Sequence, residues 1–267
     1  MTTILQINKL NYQIDETKKF TNLNLDINMG DYVSIIAPSR SGKTTLTKLL
    51  CAILPTTDVI QIENIILNKK NVLKYIEKIG VVSNFLNVFL TKKVKDELIL
   101  PLKNLGYNEY KINKRLTKIA SFFEIENLLN KNIKTLSRNE INKLKIIISL
   151  MQEPKILILD DAFNNLNKDT LLFMLKKLKE LNEEGLTIIN ITSNLNTIYN
   201  SNLIYLLNDY KISLIGNLEK TFSRDNYLRK IGLELPFIID LSIKLKFYDL
   251  IDKIYYDLDS LEDNLWK

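Results

Sequence analysis

Histidine is absent from the 267 residues of the chain, and Cys51 is the one cysteine. Without an imidazole, mechanisms that need histidine as a base, as a metal ligand or as a member of a Ser-His-Asp triad are excluded. A single thiolate cannot form a zinc cluster, so a zinc site is excluded as well. One cysteine also rules out an internal disulfide, and we therefore expect a reducing compartment.

Long hydrophobic runs are also absent. Every apolar run is interrupted well before the ~18 residues that a membrane-spanning helix needs, and the N-terminal MTTILQINKL alternates instead of forming a signal peptide. The net charge of +6 comes from 37 Lys and Arg interleaved with 31 Asp and Glu. We expect a mixed, solvated surface without a nucleic-acid partner, on a protein that is soluble or held at a membrane by another component.

Short apolar segments indicate an α/β fold. TILQI and LNLDI, at 3–7 and 23–27, alternate in the way that is typical of half-buried strands. Continuous apolar runs are typical of parallel strands covered by helices on both faces. Such runs occupy 32–37, 78–82, 155–159, 186–192 and 202–207.

Two other regions have helical spacing. Within 92–151 one helical face carries Ile141, Leu144, Ile148 and Met151. After Gly216 the period is helical again, and the sequence leaves open whether its apolar stripes face the core or a partner. The two stripes are Ile238, Leu241 and Leu245, and Leu258, Leu261 and Leu265.

The run at 32–37 leads directly into a Gly-Lys-Thr loop and then into an apolar-periodic helix. Such a strand, loop and helix bind phosphate, because backbone N–H groups and a helix N-terminus converge there. Lys43 is expected to reach the β- and γ-phosphates of a nucleotide, and the Thr44 hydroxyl to bind Mg²⁺. Ala37 stands where the consensus has its first glycine. The expected nucleotide-binding residues of the loop are Ser39, Arg40, Ser41, Gly42, Lys43, Thr44 and Thr45.

Two acidic residues, Asp160 and Asp161, follow the apolar run at 155–159. A carboxylate at the carboxyl end of a central strand can organise Mg²⁺, and the next residue can reach water near the γ-phosphate. We therefore predict Asp160 as a metal ligand and Asp161 as a catalytic residue.

The order and spacing of these pieces resemble the ATP-binding subunit of ABC transporters over most of the chain. Tyr12 matches the aromatic position that stacks on adenine, although it can also be an ordinary strand residue. The segment 136–140, LSRNE, stands in place of the signature LSGGQ. Residues 164–167, NNLN, and 192–194, TSN, stand in place of the family's SxLD and THD segments.

The C-terminal tail, from Gly216 onwards, resembles one subgroup of the ABC family, the ATPases of energy-coupling-factor (ECF) importers. Gly216 to Phe222 has the spacing GxxxxxF, Gly232 to Pro236 reads GLxxP, and the helical region begins with VKDEL at 94–98. In that family the tail implies contact between two ATPase subunits, and the helical region implies a groove for helices of a membrane partner.

The resemblance implies a P-loop NTPase core with a mainly parallel sheet, antiparallel N-terminal strands, a helical insert and a helical tail. The corresponding boundaries are 1–84 with 152–218 for the nucleotide-binding core, 85–151 for the helical subdomain with the signature, and 219–267 for the dimerisation region.

Several departures from the family concern hydrolysis. Arg40 replaces a glycine that lets the loop approach phosphate. Asn84 replaces a glutamine that serves both the metal and the reaction, and Asp161 replaces a glutamate; each is one methylene, ~1.5 Å, shorter. A carboxylate that polarises water acts at about 3 Å, so the shorter reach should lower the rate more than the binding. Ser193 replaces the histidine that contacts the γ-phosphate, and no other residue supplies an imidazole.

The signature is altered most. Ser137 and Glu140 have the spacing of a helix capping box, which needs no nucleotide. Arg138 and Asn139 add bulk where backbone would approach the γ-phosphate across a dimer, and Glu140 adds negative charge. Two alternatives remain open at this point: Ser137 and Arg138 bind the nucleotide through a compensating charged contact, or the signature has lost its function.

We therefore predict an ATP- and Mg²⁺-binding subunit of an ECF-like importer. It is expected to form a heterodimer with a second ABC ATPase on the cytoplasmic face of the membrane, beside a transmembrane coupling subunit and a substrate-binding membrane subunit. The alternative is a nucleotide-binding pseudo-ATPase that is structural while its partner hydrolyses ATP.

Overall fold

The computed structural model describes residues 2–55, 58–86 and 88–265. The strands are β1 (Thr3–Gln13), β2 (Lys19–Asn28), β3 (Tyr32–Ile36), β4 (Ile60–Ile62), β5 (Ile65–Ile66), β6 (Ile79–Val82), β7 (Ile156–Asp160), β8 (Thr187–Thr192), β9 (Leu203–Asn208) and β10 (Lys211–Gly216). The α-helices are α1 (Lys43–Leu50), α2 (Val72–Ile76), α3 (Val94–Asn104), α4 (Glu109–Phe122), α5 (Arg138–Ser149), α6 (Lys168–Glu183), α7 (Leu218–Phe222), α8 (Asp225–Lys230), α9 (Phe237–Phe247) and α10 (Leu258–Leu265).

The strands form two sheets. The first has the order β2-β1-β4-β5 and is antiparallel, and the second has the order β10-β9-β3-β8-β7-β6. Five neighbouring strands of the second sheet, β9 to β6, run parallel, and β10 joins β9 antiparallel. The five strands predicted from continuous apolar runs are all present in this parallel part. Three strands, β4, β5 and β10, were not predicted. β4 and β5 are very short, and β10 has one exposed face and one face that is only partly buried.

Helix α1 lies between the two sheets. Its apolar side chains Leu46, Leu49 and Leu50 are fully buried in one cluster with residues of β1, β2, β3 and β7. The helix is therefore fixed on both sides, and the loop that precedes it is held against the carboxyl end of β3.

The helical region covers the other face of the parallel sheet. The apolar side chains that α3, α4 and α5 bury belong to one hydrophobic cluster with β7, α6 and Ile188 of β8. On the face predicted for α5, Leu144 and Met151 are buried, whereas Ile141 and Ile148 are partly buried against the same cluster. The helical region and the sheet thus share one core.

The C-terminal helices pack at the β9 end of the second sheet. Ile239 of α9 is buried with Phe222 and Leu228 against β9. Leu241 and Leu245, from one predicted stripe, pack on a small cluster that contains Leu261 of α10. Both stripes thus contribute core contacts within the tail. Within the described residues, none of the helices is long and apolar enough to cross a membrane.

Gly80 fixes the distance between β6 and the end of α5. A methyl group at this position would lie 2.5 Å from the carbonyl oxygen of Ser149 and 2.9 Å from Cγ of Pro154. Contacts this short do not occur in native packing, so β6 approaches the helix only because residue 80 lacks a side chain.

Gly80→Ala is expected to lower the free energy of unfolding by about 1–3 kcal/mol, the usual cost of overpacking. The added methyl meets backbone, which cannot move without shifting the end of α5. Urea denaturation of the variant and the wild-type chain measures the change. An unchanged midpoint would show that the contact between β6 and α5 is looser than the structure indicates.

Candidate functional site

The predicted phosphate loop, Asp160, Asp161 and Ser193 follow three neighbouring strands at the carboxyl-terminal edge of the parallel sheet. In the strand register Ile36 pairs with Thr192, and Asp160 pairs with Ile191. The loop after β3, the acids that end β7 and the segment after β8 therefore leave the sheet side by side. The backbone N–H of Ala37 donates to the carbonyl oxygen of Thr192 at 3.0 Å, which joins the first and last of these segments.

The N-terminus of α1 is open to an anion. Its N-cap residue, Gly42, has no side chain that could cap it, and its first turn contains no acidic residue. By contrast, α4, α5 and α6 are capped by the side chains of Asn108, Ser137 and Asn167. An uncapped helix end presents unsatisfied N–H groups and a partial positive charge, the combination that binds phosphate.

Lys43 lies inside the phosphate loop. Its ammonium group is buried and donates to the carbonyl oxygens of Ala37 at 2.9 Å and of Pro38 at 3.3 Å. The Ser41 hydroxyl also donates to Pro38, at 2.7 Å. The loop is thus closed around the lysine, and the exposed Thr44 and the partly exposed Thr45 lie at its helical end.

Two residues of the loop have left-handed backbone. Gly42 has φ +100°, and Arg40 has φ +63° although it carries a side chain. A methyl group on Gly42 would lie 2.8 Å from Cζ of Phe20 and 2.9 Å from Cδ1 of Tyr210. Gly42 is therefore required for its dihedral angle and for its close packing. At position 40 an arginine replaces the family's glycine, yet the backbone keeps the left-handed conformation that glycine favours. The side chains of Ser39 and Arg40 are exposed.

Asp160 is buried beside the loop. Its Oδ2 atom accepts a hydrogen bond from the Ser83 hydroxyl at 2.8 Å. Burial raises the pKa of Asp160, and the neighbouring Asp161 raises it further, whereas hydrogen bonds from Ser83 and Thr47 and the charge of Lys43 act in the opposite direction. Burial has the larger effect, so the charged carboxylate is held at a cost that a cation would offset.

Asp161 and Ser193, both predicted as catalytic, are in contact. The backbone N–H of Ser193 donates to Oδ1 of Asp161 at 3.4 Å, and the N–H of Asp161 donates to the carbonyl oxygen of Ile191 at 2.9 Å. Asp161 itself has φ +49°. The segment after β8 therefore holds the shorter carboxylate at the edge of the sheet. The roles of Asp161 and Ser193 in the reaction stay predictions.

Asn84 and Tyr12 lie at the margins of this arrangement. Asn84 is exposed in a 3₁₀ turn, Asn84–Leu86, directly after the Ser83 that bonds Asp160. Tyr12 is partly buried on β1, paired across the strands with Phe20, whose ring touches the Gly42 position. The structure places both near the loop, and their predicted roles toward metal and adenine stay predictions.

The signature segment forms the predicted capping box. Ser137 caps α5, and both its N–H and its hydroxyl are within 2.8 Å and 2.9 Å of Oε2 of Glu140. These hydrogen bonds, chiefly that from the Ser137 backbone, hold the pKa of Glu140 below its ordinary range. The ion-pair partner of Glu140 is Lys131, at 3.4 Å, while Arg138 is exposed. A carboxylate therefore already occupies the hydroxyl and the backbone N–H of Ser137.

Asn139 ties the signature helix to the loop before α6. Its Nδ2 donates to the Thr170 hydroxyl at 2.7 Å, and its Oδ1 accepts from the backbone N–H of Asn167 at 3.1 Å. Asn142 donates to the carbonyl oxygen of Asn164 at 2.9 Å. The bulky replacement for a signature glycine is thus used structurally, in the contact between α5 and the segment that follows Asp161.

Three residues of the site were missed in the sequence: Ser83, Thr47 and Tyr210. Ser83 donates to Asp160, Thr47 lowers the pKa of the same carboxyl, and Tyr210 contacts the phosphate loop from the β9–β10 turn. The sequence could have indicated Ser83, because it is a polar residue directly after the apolar strand β6, which pairs with β7. Thr47 reads as an ordinary helix residue, and Tyr210 is distant in sequence, so neither could be recognised without the fold.

The oxygen atoms near the loop suit Mg²⁺. The Thr44 hydroxyl and the Asp160 carboxylate are hard ligands, and Mg²⁺ typically takes one or two protein ligands with phosphate and water oxygens. Within the described residues there is no cluster of three or more His, Cys, Asp or Glu side chains able to hold a metal without such help. The donor set therefore fits a metal that arrives with a nucleotide.

Comparison with known families decides the assignment. The family model described as ABC transporter matches residues 20–164, which is more than half of the chain. The chain belongs to the ABC transporter family. The predicted enzyme class, an ABC-type ATPase, and the predicted fold class are confirmed by this match and by the structural neighbours below.

The curated relatives of this ABC protein carry a more specific name. The Energy-coupling factor transporter ATP-binding protein EcfA1 of Lacticaseibacillus paracasei is 29% identical over 272 residues, covering 100% of this chain and 98% of its own. The EcfA1 protein of Halalkalibacterium halodurans is 26% identical over 269 residues, covering 98% and 97%. The similarity thus includes the tail, and the predicted resemblance to ECF ATPases is confirmed.

Solved structures of ABC proteins match the fold. The structure of cbiO1 from Clostridium perfringens, described as part of the ABC transporter complex cbiONQ, has a TM-score of 0.76 and 27% identity, covering 90% of this chain and 99% of its own. The ATP-binding cassette MJ0796, a dimer in a post-hydrolysis state bound to ADP and Pi, has a TM-score of 0.71 and 25% identity, covering 80% and 99%.

Asp160→Asn is expected to stabilise the nucleotide-free ABC protein and to remove its response to magnesium. The amide still accepts from Ser83 but carries no charge to bury. A gain of 1 kcal/mol corresponds to a rise of roughly 2–4 °C in Tm for a chain of this size. Thermal unfolding near neutral pH should show this rise without nucleotide. With ATP, added Mg²⁺ should raise the Tm of the wild type further and leave the variant unchanged.

A lower Tm for the nucleotide-free variant would contradict the view that the Asp160 charge is buried at a cost. Asp169→Asn, on the exposed first turn of α6, is the matched control. It should keep the response to magnesium, and it should lower the nucleotide-free Tm slightly, because the helix N-terminus loses a favourable negative charge.

Proposed function

We propose that the chain is the ATP-binding subunit of an ECF-like importer, binding MgATP at an interface with a second ATPase to drive a conformational change in a membrane partner. The observation that carries this proposal is the open N-terminus of α1 with Lys43 in its loop, beside the buried Asp160. The EcfA1 name of the relatives that match the whole chain supports the transporter class.

The phosphate loop would hold the nucleotide through the N-terminal N–H groups of α1 and through Lys43. Thr44 and Asp160 would hold the Mg²⁺, which supplies charge neutralisation at the phosphates when bound. Asp161 would orient the attacking water, with its carboxylate held by the Ser193 backbone.

A heterodimer fits the signature better than a homodimer. Glu140 covers the Ser137 donors on one face, and Asp161 has the shorter reach on the other. In a homodimer both ATP sites would combine this chain's altered signature with its shorter Asp161 carboxylate. In a heterodimer with a better-equipped homologue, each ATP site would contain one unaltered part from the partner. Ordinary ATP turnover by a stable homodimer of the purified chain would contradict this part of the proposal.

A surface groove beside Ser83 suits the membrane partner. It has a volume of about 110 Å³, and its lining includes Val82, Phe89 and Ile148. Exposed apolar residues Leu86 and Val88 stand at its edge. We propose that a helix of the transmembrane coupling subunit lies across this groove and fills it with one side chain, next to the residue that bonds Asp160, so that movement of the partner reaches the proposed metal ligand. The chain would then sit at the cytoplasmic face of the membrane, with a separate membrane subunit binding the substrate.

The tail offers an apolar surface for the second ATPase. Phe237 and Phe247 of α9 are exposed over 73% and 79% of their surface, and Tyr248 and Leu250 follow at 71% and 60%. Exposed aromatic side chains at this density are typical of protein interfaces. We propose this surface as the dimerisation contact.

Asp161→Ala in the reconstituted transporter is expected to lower ATP turnover at this subunit's site by about 100-fold, the usual contribution of a general base. Nucleotide affinity should change little, because the phosphate loop and Asp160 remain. Steady-state ATPase and transport assays measure the effect, and Asp169→Ala on exposed α6 is the control. Unchanged transport in the Asp161 variant would favour the pseudo-ATPase alternative.

Glu140→Gln is expected to raise turnover severalfold at the composite site that uses this chain's signature. Glutamine keeps the capping box but removes the charge that would meet the γ-phosphate. Glu140→Ala is the contrasting variant, because it should lower stability by roughly 1 kcal/mol through loss of the box. Slower turnover in the glutamine variant would show that the Glu140 charge assists the reaction.

A further inference from the structure

The turn between β9 and β10 carries a tyrosine where a glycine is expected. Asn208 pairs with Lys211, so Asp209 and Tyr210 are the two loop residues, with φ +46° and φ +62°. Two-residue turns with positive φ at both positions favour glycine, especially at the second. A tyrosine in this conformation is strained, and strained residues persist where other contacts hold them.

The Tyr210 side chain reaches the phosphate loop. Its hydroxyl donates to the carbonyl oxygen of Arg40 at 2.8 Å, across 170 positions of sequence. Its ring packs edge-on against Phe20 with centroids 5.9 Å apart, and both rings cover Gly42. One side chain therefore touches the loop at both of its left-handed residues.

Arg40 needs such a contact more than a glycine would. Its φ of +63° places Cβ close to its own backbone, a conformation that glycine adopts without this penalty. Because the Arg40 side chain is exposed, packing of the side chain does little to maintain it. The hydrogen bond from Tyr210 acts directly on the peptide group that this conformation orients.

We propose that Tyr210 is a positioning residue that holds the phosphate loop in its nucleotide-binding conformation, offsetting the left-handed backbone of Arg40. This inference rests on the proposed function, since it concerns the same MgATP site. Without the hydroxyl, Arg40 relaxes toward negative φ in part of the population. The apparent affinity for nucleotide then falls in proportion to the fraction of loops that remain competent.

The chain provides a matched control for this hydrogen bond. Tyr205, on β9 of the same hairpin, donates its hydroxyl to the carbonyl oxygen of Asp26 at 2.7 Å, away from the phosphate loop. Tyr210→Phe and Tyr205→Phe each remove one hydroxyl and keep the ring. The two variants differ in whether the lost bond ends on the loop.

The first measurement is the Kd of the full-length chain for a fluorescent ATP analogue with Mg²⁺. Tyr210→Phe should weaken binding about two- to fivefold, and the upper value corresponds to the full loss of one hydrogen bond of ordinary strength. Tyr205→Phe should leave the Kd unchanged. Equal effects of the two variants would overturn the proposal.

The second measurement tests whether Arg40 is the reason. In an Arg40→Gly background the left-handed backbone has no penalty, so adding Tyr210→Phe should change the Kd less than about twofold. An equal loss of affinity in both backgrounds would overturn the role assigned to Arg40.

The third measurement needs no nucleotide. Hydrogen exchange of the peptide that covers residues 37–45 should be faster in Tyr210→Phe than in the wild type and unchanged in Tyr205→Phe. Unchanged exchange in Tyr210→Phe would overturn the proposal even if MgATP binds. Failure of the wild type to bind MgATP would instead contradict the proposed function, while exchange still decides whether Tyr210 holds the loop.

Discussion

The parallel pairing of β7, β8 and β3 is the constraint on which the site depends. Because these strands run in one direction, their carboxyl ends meet at one edge, and the segments that follow them are neighbours. The hydrogen bonds from Ala37 to Thr192 and from Asp161 to Ile191 join these segments just beyond the strands. The loop proposed to bind phosphate and the two acids proposed for the metal and for water are therefore placed together by sheet topology.

Within that frame, charge is distributed unevenly. Lys43 and the uncapped end of α1 leave positive potential in the loop, and Asp160 carries a buried carboxylate next to it. Each charge is incompletely compensated by protein, and MgATP would compensate both at once. At the signature the opposite holds, since Glu140 is already satisfied by Ser137 and Lys131. The face with Lys43 and Asp160 is therefore suited to binding nucleotide, whereas the signature face with Glu140 is less suited to contact the γ-phosphate.

Three side chains stand where the family has small residues or longer acids, and each has a structural use. Arg40 keeps left-handed backbone under a hydrogen bond from Tyr210, and Asn139 joins α5 to the start of α6. Asp161 is held by the backbone of the segment after β8. The replacements therefore alter how tightly the loops are fixed, while the positions of Lys43 and Asp160 are retained.

Local pattern determined the parallel strands, the two alternating N-terminal strands, the helical region and the capping box at Ser137, because alternation, burial on both faces and capping act over a few residues. The phosphate loop and Asp160 were also recognisable from the sequence. Tertiary structure alone decided that Ser83 bonds Asp160, that Lys131 pairs with Glu140, and that the Tyr210 hydroxyl bonds the carbonyl oxygen of Arg40. These contacts join segments separated along the chain, so their geometry depends on packing that no local pattern encodes.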